Sequence, residues 1–111
     1  MDEITWQDFE KVELRVGTII KVDDFPKAKK PAYQLLIDLG PFGIKKSSAQ
    51  ITKLYSKEDL MGRQVLCVIN FPRKQIANFI SEVLTTGFTL PTGEIVLAQP
   101  ANVVPNGSKL L

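Results

Sequence analysis

The chain has no histidine and a single cysteine among its 111 residues. Without histidine there is no Ser-His-Asp triad, no Cys-His dyad, no His-based zinc site and no imidazole to shuttle protons near neutral pH. Cys67 has no second cysteine to pair with and sits inside the apolar run Val65-Leu66-Cys67-Val68-Ile69, so it reads as an inert core residue. No GxSxG, SxxK or phosphate-binding glycine loop is present. Lysine or carboxylate chemistry stays open in principle, but no such group is singled out by spacing. The expectation is a protein that is not an enzyme and carries no cofactor or metal. The longest apolar stretches fall far short of a bilayer's thickness, so no membrane insertion is expected. The first six residues carry two acids where a signal peptide has bases, which gives a cytoplasmic location as the expectation.

What is present is ordinary globular composition, 44% hydrophobic and 23% charged. A domain of this size buries roughly 65% of the surface its unfolded chain exposes, so residues 1–111 are expected to form one domain without a metal or disulfide staple. The net charge of +2 conceals an asymmetry. Residues 1–24 hold three bases against seven acids, residues 25–74 ten against three, and residues 75–111 one against two. A basic middle in a near-neutral chain points to a surface that faces a polyanion; the alternative, lysines merely solvated on loops, stays open at this level.

Thr5 followed by Trp6-Gln7-Asp8-Phe9-Glu10 has the pattern of a short capped helix. Val12, Leu14, Val16, Ile20 and Val22 recur at period two and predict a long strand, with Gly17 as the place for a bend or bulge. Residues 33–39 alternate in the same way, Gly40-Pro41-Phe42-Gly43 is a turn, and residues 44–51 form a polar strand. Ser56 caps a second short helix that ends near Gly62, and residues 63–70 are the most apolar strand. Residues 71–80 read as an apolar loop, residues 81–90 and 94–99 as two strands, and the tail from Val103 as a short hairpin turning at Pro105-Asn106-Gly107. The expected fold is therefore all-β: a five-stranded Greek-key barrel of the OB type, with short helices and a C-terminal hairpin extension.

Glu13-Leu14-Arg15-Val16-Gly17-Thr18-Ile19 resembles the opening motif of the tRNA-binding domain family. Ile37-Asp38-Leu39-Gly40, Leu60-Met61-Gly62-Arg63-Gln64-Val65 and Val68-Ile69-Asn70-Phe71 resemble further family blocks, in order. Residues 22–28, 44–52 and 70–72 are similar to the CsaA-like secretion chaperones of that family, and the likeness covers about residues 8–110. The resemblance implies an OB-fold homodimer, joined through the opening helix and the C-terminal extension. Trp6, Phe9, Val103, Val104, Leu110 and Leu111 suit such an interface, or else seal the barrel ends. It also implies two kinds of partner: tRNA, and unfolded precursor proteins awaiting export, possible contacts with the export machinery included. The family's S-x-G-M segment is Ser81-Glu82-Val83-Leu84 here, with Val83 where the family has glycine.

For RNA, the candidate phosphate contacts are Lys45, Lys46, Lys53, Arg73 and Lys74, with Ser47, Ser48, Gln50, Asn78 and Ser81 offering hydrogen bonds to sugar or backbone. For polypeptide, Phe42, Phe71, Ile76, Phe79 and Ile80 are the candidates for an apolar groove. For Phe42, Phe71 and Phe79 core or loop packing is the first reading, with an exposed binding role as the alternative.

Overall fold

Two short α-helices, one 3-10 turn and nine strands make up the computed structural model, which describes residues 1–111. In α1 (Trp6–Glu10) the Thr5 hydroxyl accepts the Asp8 N–H at 3.0 Å, and the Asp8 carboxylate accepts the Thr5 N–H at 3.1 Å. In α2 (Lys57–Leu60) Ser56 and Asp59 form the same reciprocal cap, at 3.1 and 3.2 Å. Such caps satisfy the orphan amides of helices far too short to persist alone. Leu60, at the end of α2, is fully buried in the core.

The main sheet is antiparallel, in the order β3 (Ile44–Ala49), β2 (Tyr33–Asp38), β1 (Leu14–Asp24), β4 (Gln64–Val68), β7 (Leu84–Thr85). Its two edges then meet. The Lys46 carbonyl accepts the N–H groups of Glu82 and Val83 at 2.8 and 3.3 Å, the Ser48 N–H donates to Ser81 Oγ at 3.1 Å, and the Ser47 and Thr85 hydroxyls bond at 2.8 Å. The result is a nearly closed five-stranded barrel of the OB type. Period-two alternation fills it: Tyr33, Leu35 and Ile37 from β2 join Ile19, Leu39, Val65, Cys67, Val83 and Leu97 in one core. Burial pushes the Cys67 thiol up to about 12, which keeps it protonated and unreactive.

Several expectations are corrected by this architecture. The irregularity in β1 falls between Ile19 and Lys21, leaving Ile20 exposed, and not at Gly17. Gly17 is needed instead for close packing, since a Cβ there would stand 2.5 Å from Ile37 Cγ2 and 2.8 Å from Leu39 Cδ2. Residues 71–80 are not a loop. They contain a hairpin of β5 (Lys74–Ile76) and β6 (Phe79–Ser81), turning through Ala77 at φ 52°. The strand expected over residues 81–90 breaks where Glu82 and Val83 are drawn to β3, and again at Thr86, whose N–H and hydroxyl both bond the Leu66 carbonyl. Beyond it, β8 (Gly87–Thr89) and β9 (Ile95–Leu97) form a separate ribbon. The tail does turn at residues 105–108, but it pairs with β1 and not with itself: Gly107 N–H donates to the Val16 carbonyl, Val16 N–H to Ser108 and Leu110 N–H to Leu14. The first half of β1 thus has β4 on one edge and the tail on the other.

Candidate binding cleft

Phe25 and Ala32 are buried at either end of loop 26–31, which anchors the loop against the barrel and leaves Lys27, Lys29 and Lys30 exposed. Across from the loop stands the β5–β6 hairpin, and between them lies an open cleft of about 1200 Å³. Its cations are Lys27, Lys29, Lys30 and Lys74, and its lining contains no acidic residue. Four cations in one concavity raise the local concentration of anions. The apolar part comprises Ile51, Phe71, Ile76, Val83, Leu84 and Ile95, of which Phe71 is 56% and Leu84 48% exposed. Ser48, Gln50, Ser81 and Thr85 add hydrogen-bonding groups beside them. A smaller hollow of about 300 Å³, where Lys53 stands opposite Glu94, shares Lys30, Gln50, Ile51 and Ile95 with the cleft.

Of the residues proposed from sequence, Ser48, Gln50, Lys74, Ser81, Phe71 and Ile76 are therefore brought together, with Lys53 next door. Lys45 and Lys46 lie on β3, half-buried, and Lys46 Nζ sits 5.5 Å from the centre of the Phe79 ring. Arg73 pairs with Glu82 at 3.3 Å, and Asn78 and Ile80 are exposed on the hairpin without lining the cleft. Three assignments are corrected. Ser47 has no exposed surface and its hydroxyl is engaged by Thr85, so it serves barrel closure and cannot reach an RNA. Phe42 lies in the 3-10 turn (Gly40–Phe42), under the Arg15 guanidinium at 4.7 Å and away from the cleft. Phe79 is wedged against the buried Phe25 with ring centres 5.5 Å apart, which makes it a support of the hairpin and not an open docking side chain. Sequence reasoning passed over Lys27, Lys29, Lys30 and Leu84; the run of lysines fenced by Pro26 and Pro31 was the available signal for the first three.

Val83, where the family motif has glycine, turns its side chain into the core and is 5% exposed. Both it and Leu84 border the cleft, but the side chain exposed there is that of Leu84, at 48%. No group of three or more His, Cys, Asp or Glu residues is placed to hold a metal ion, and no helix is long and apolar enough to cross a membrane.

The family model described as "Putative tRNA binding domain" matches residues 14–109. The chain belongs to the tRNA-binding domain family. Within it, the solved structure of the chaperone CsaA from Bacillus anthracis strain Ames is 45% identical, with a TM-score of 0.93 over 99% of this chain and 100% of that one. The CsaA chaperone protein of Picrophilus torridus is 47% identical, with a TM-score of 0.91 over 98% and 100% of the two chains. Among curated proteins, a methionine–tRNA ligase of Bacillus anthracis is 35% identical over 109 residues, 98% of this chain. The chain spans 16% of that ligase's length. The match thus covers a small part of a much longer enzyme.

Proposed function

We propose that this protein is a non-catalytic, CsaA-like chaperone that holds extended segments of unfolded precursor polypeptides in the lysine-rimmed cleft. The observation that carries this reading is the cleft's composition: exposed Phe71 and Leu84 beside four lysines and no acid. An unfolded chain offers apolar side chains for the first and acidic side chains or its carboxyl end for the second, with no need for a fixed sequence. The CsaA likeness at 45% and 47% identity supports it. Work on precursors fits a cytoplasmic protein that meets the export machinery. Trp6, Val103 and Leu111, at 58%, 88% and 91% exposure, suit coverage by a second copy, so the working form is a homodimer.

A second reading is favoured by the family match and by the same rim: the lysines take the phosphates of tRNA, a shape-directed contact without a base code. Binding of a reduced, unfolded polypeptide and of tRNA, each measured across a salt series, separates the two. Replacing Lys29 and Lys30 together by alanine should reduce the salt slope of tRNA binding by roughly 1.5, at about 0.7 to 0.9 per phosphate contact. Polypeptide binding that is absent at every salt concentration leaves tRNA as the ligand and removes the chaperone reading.

A further inference from the structure

Of the four asparagines in the chain, at 70, 78, 102 and 106, one is followed by glycine. We propose that Asn106–Gly107 is a deamidation site held inactive by docking of the C-terminal tail on β1, and that the isoaspartyl form produced once the tail opens prevents it from docking again.

The chemistry requires the backbone nitrogen of Gly107, having given up its proton to solvent base, to attack Asn106 Cγ. A C–N bond forms, the Cγ–Nδ2 bond breaks and ammonia leaves. Water then opens the cyclic imide at either carbonyl, giving an aspartyl or an isoaspartyl residue, with no change of oxidation state. Glycine favours the attack because it has no side chain to obstruct it. Asparagine is among the thermolabile residues for such reasons.

In the folded chain both reacting groups are tied elsewhere. The Gly107 N–H donates to the Val16 carbonyl at 2.7 Å, which holds the proton that must leave. Asn106 Oδ1 accepts the Thr18 hydroxyl at 2.7 Å and the Gln64 side-chain amide at 3.2 Å. Gln64 also grips Val104 in both directions, at 2.7 and 3.1 Å, and Arg15 donates to the Gly107 carbonyl at 3.2 Å. Donors on Oδ1 polarise the amide, but ring closure turns the Asn106–Gly107 peptide and so breaks its bond to Val16. Reaction accordingly proceeds from the undocked tail, at a rate set by how often the tail opens.

The two products differ in what they can do next. Asn106 Oδ1 acts only as an acceptor in these bonds, so an aspartyl side chain keeps the same partners. The isoaspartyl backbone is one carbon longer, and there is no room for it. A Cβ on Gly107 would stand 2.9 Å from Pro41 Cδ and 3.0 Å from the Leu39 carbonyl, and a Cβ on Gly40 would overlap the Asn106 carbonyl.

The test ages the full chain at mildly alkaline pH, native and in urea, and follows residue 106 by peptide mapping with mass spectrometry. Native Asn106 should react at least about tenfold more slowly than the urea-unfolded chain, and Thr18→Val and Gln64→Ala should each raise the native rate by about fivefold per lost bond. Thermal melts confirm that the variants are folded at the ageing temperature. Equal native and unfolded rates, or folded variants that react no faster, overturn the gate. In the second arm, hydrogen exchange at the Gly107 and Leu110 amides should be fast in the isolated isoaspartyl species and remain slow in Asn106→Asp. Slow exchange in both overturns the failure to redock.

Discussion

Phe71→Ala gives the sharpest test of the cleft, because Phe71 already faces solvent and its removal should cost the fold little. At 56% exposure it offers about 110 Å² of uncovered ring, taking about 200 Å² for the whole side chain. At about 25 cal/mol per Å², complete coverage by a bound polypeptide contributes about 2.8 kcal/mol, or about 100-fold in Kd, and half coverage about tenfold. The assay is fluorescence anisotropy of a labelled unfolded polypeptide at about 50 and about 500 mM salt, conditions between which exposed charges are progressively screened. The loss should persist at both salt concentrations, since it arises from apolar burial. A thermal melt should move little, as expected of a surface change away from any special geometry. A loss below about threefold, or one that vanishes at high salt, refutes the placement of Phe71 in the contact.

Three further outcomes follow from the geometry. Ser47→Ala removes the hydroxyl that bonds Thr85 across the barrel edges, and should lower stability by about 1–2 kcal/mol, seen as a melting-point drop of several degrees, with the tRNA salt slope unchanged. The bond from Arg15, with help from Lys109, holds the Glu13 carboxyl below its ordinary value of 4.5. Its contribution is therefore present above that value and is lost as pH falls through the lowered folded value; exchange of the Leu110 amide should accelerate over that acidic range and not above pH 5. Cys67 should resist alkylation in the native chain at pH 8 and react only on unfolding, which a mass shift under increasing denaturant checks.

Strand β2 was legible because it buries every second residue, Tyr33, Leu35 and Ile37. Both helix caps were legible too, since Thr5 and Ser56 act on neighbours three residues away. What sequence concealed was set at a distance. The turn at residues 105–108 is local and was visible, but its partner edge on β1 lies some ninety positions earlier. Ser47 stands in a polar run and looked like surface; only the arrival of Thr85 makes it interior. The hairpin of β5 and β6 has three-residue strands, too short to display a period. At the cleft, which lysines converge depended on where Phe25 and Ala32 pin their loop, a contact that charge counting along the chain does not show.

The joint between β3 and the segment from Ser81 to Thr85 has a consequence for any occupant of the cleft. Most staves of this barrel are laced by regular ladders, whereas this one is fastened by two amides on one carbonyl and by serine and threonine oxygens. Ser48 lies on one side of that joint and Ser81 and Thr85 on the other, and all three border the cleft. A guest that bonded to both sides would act as a hoop across that joint, tightening the cask as well as filling its groove.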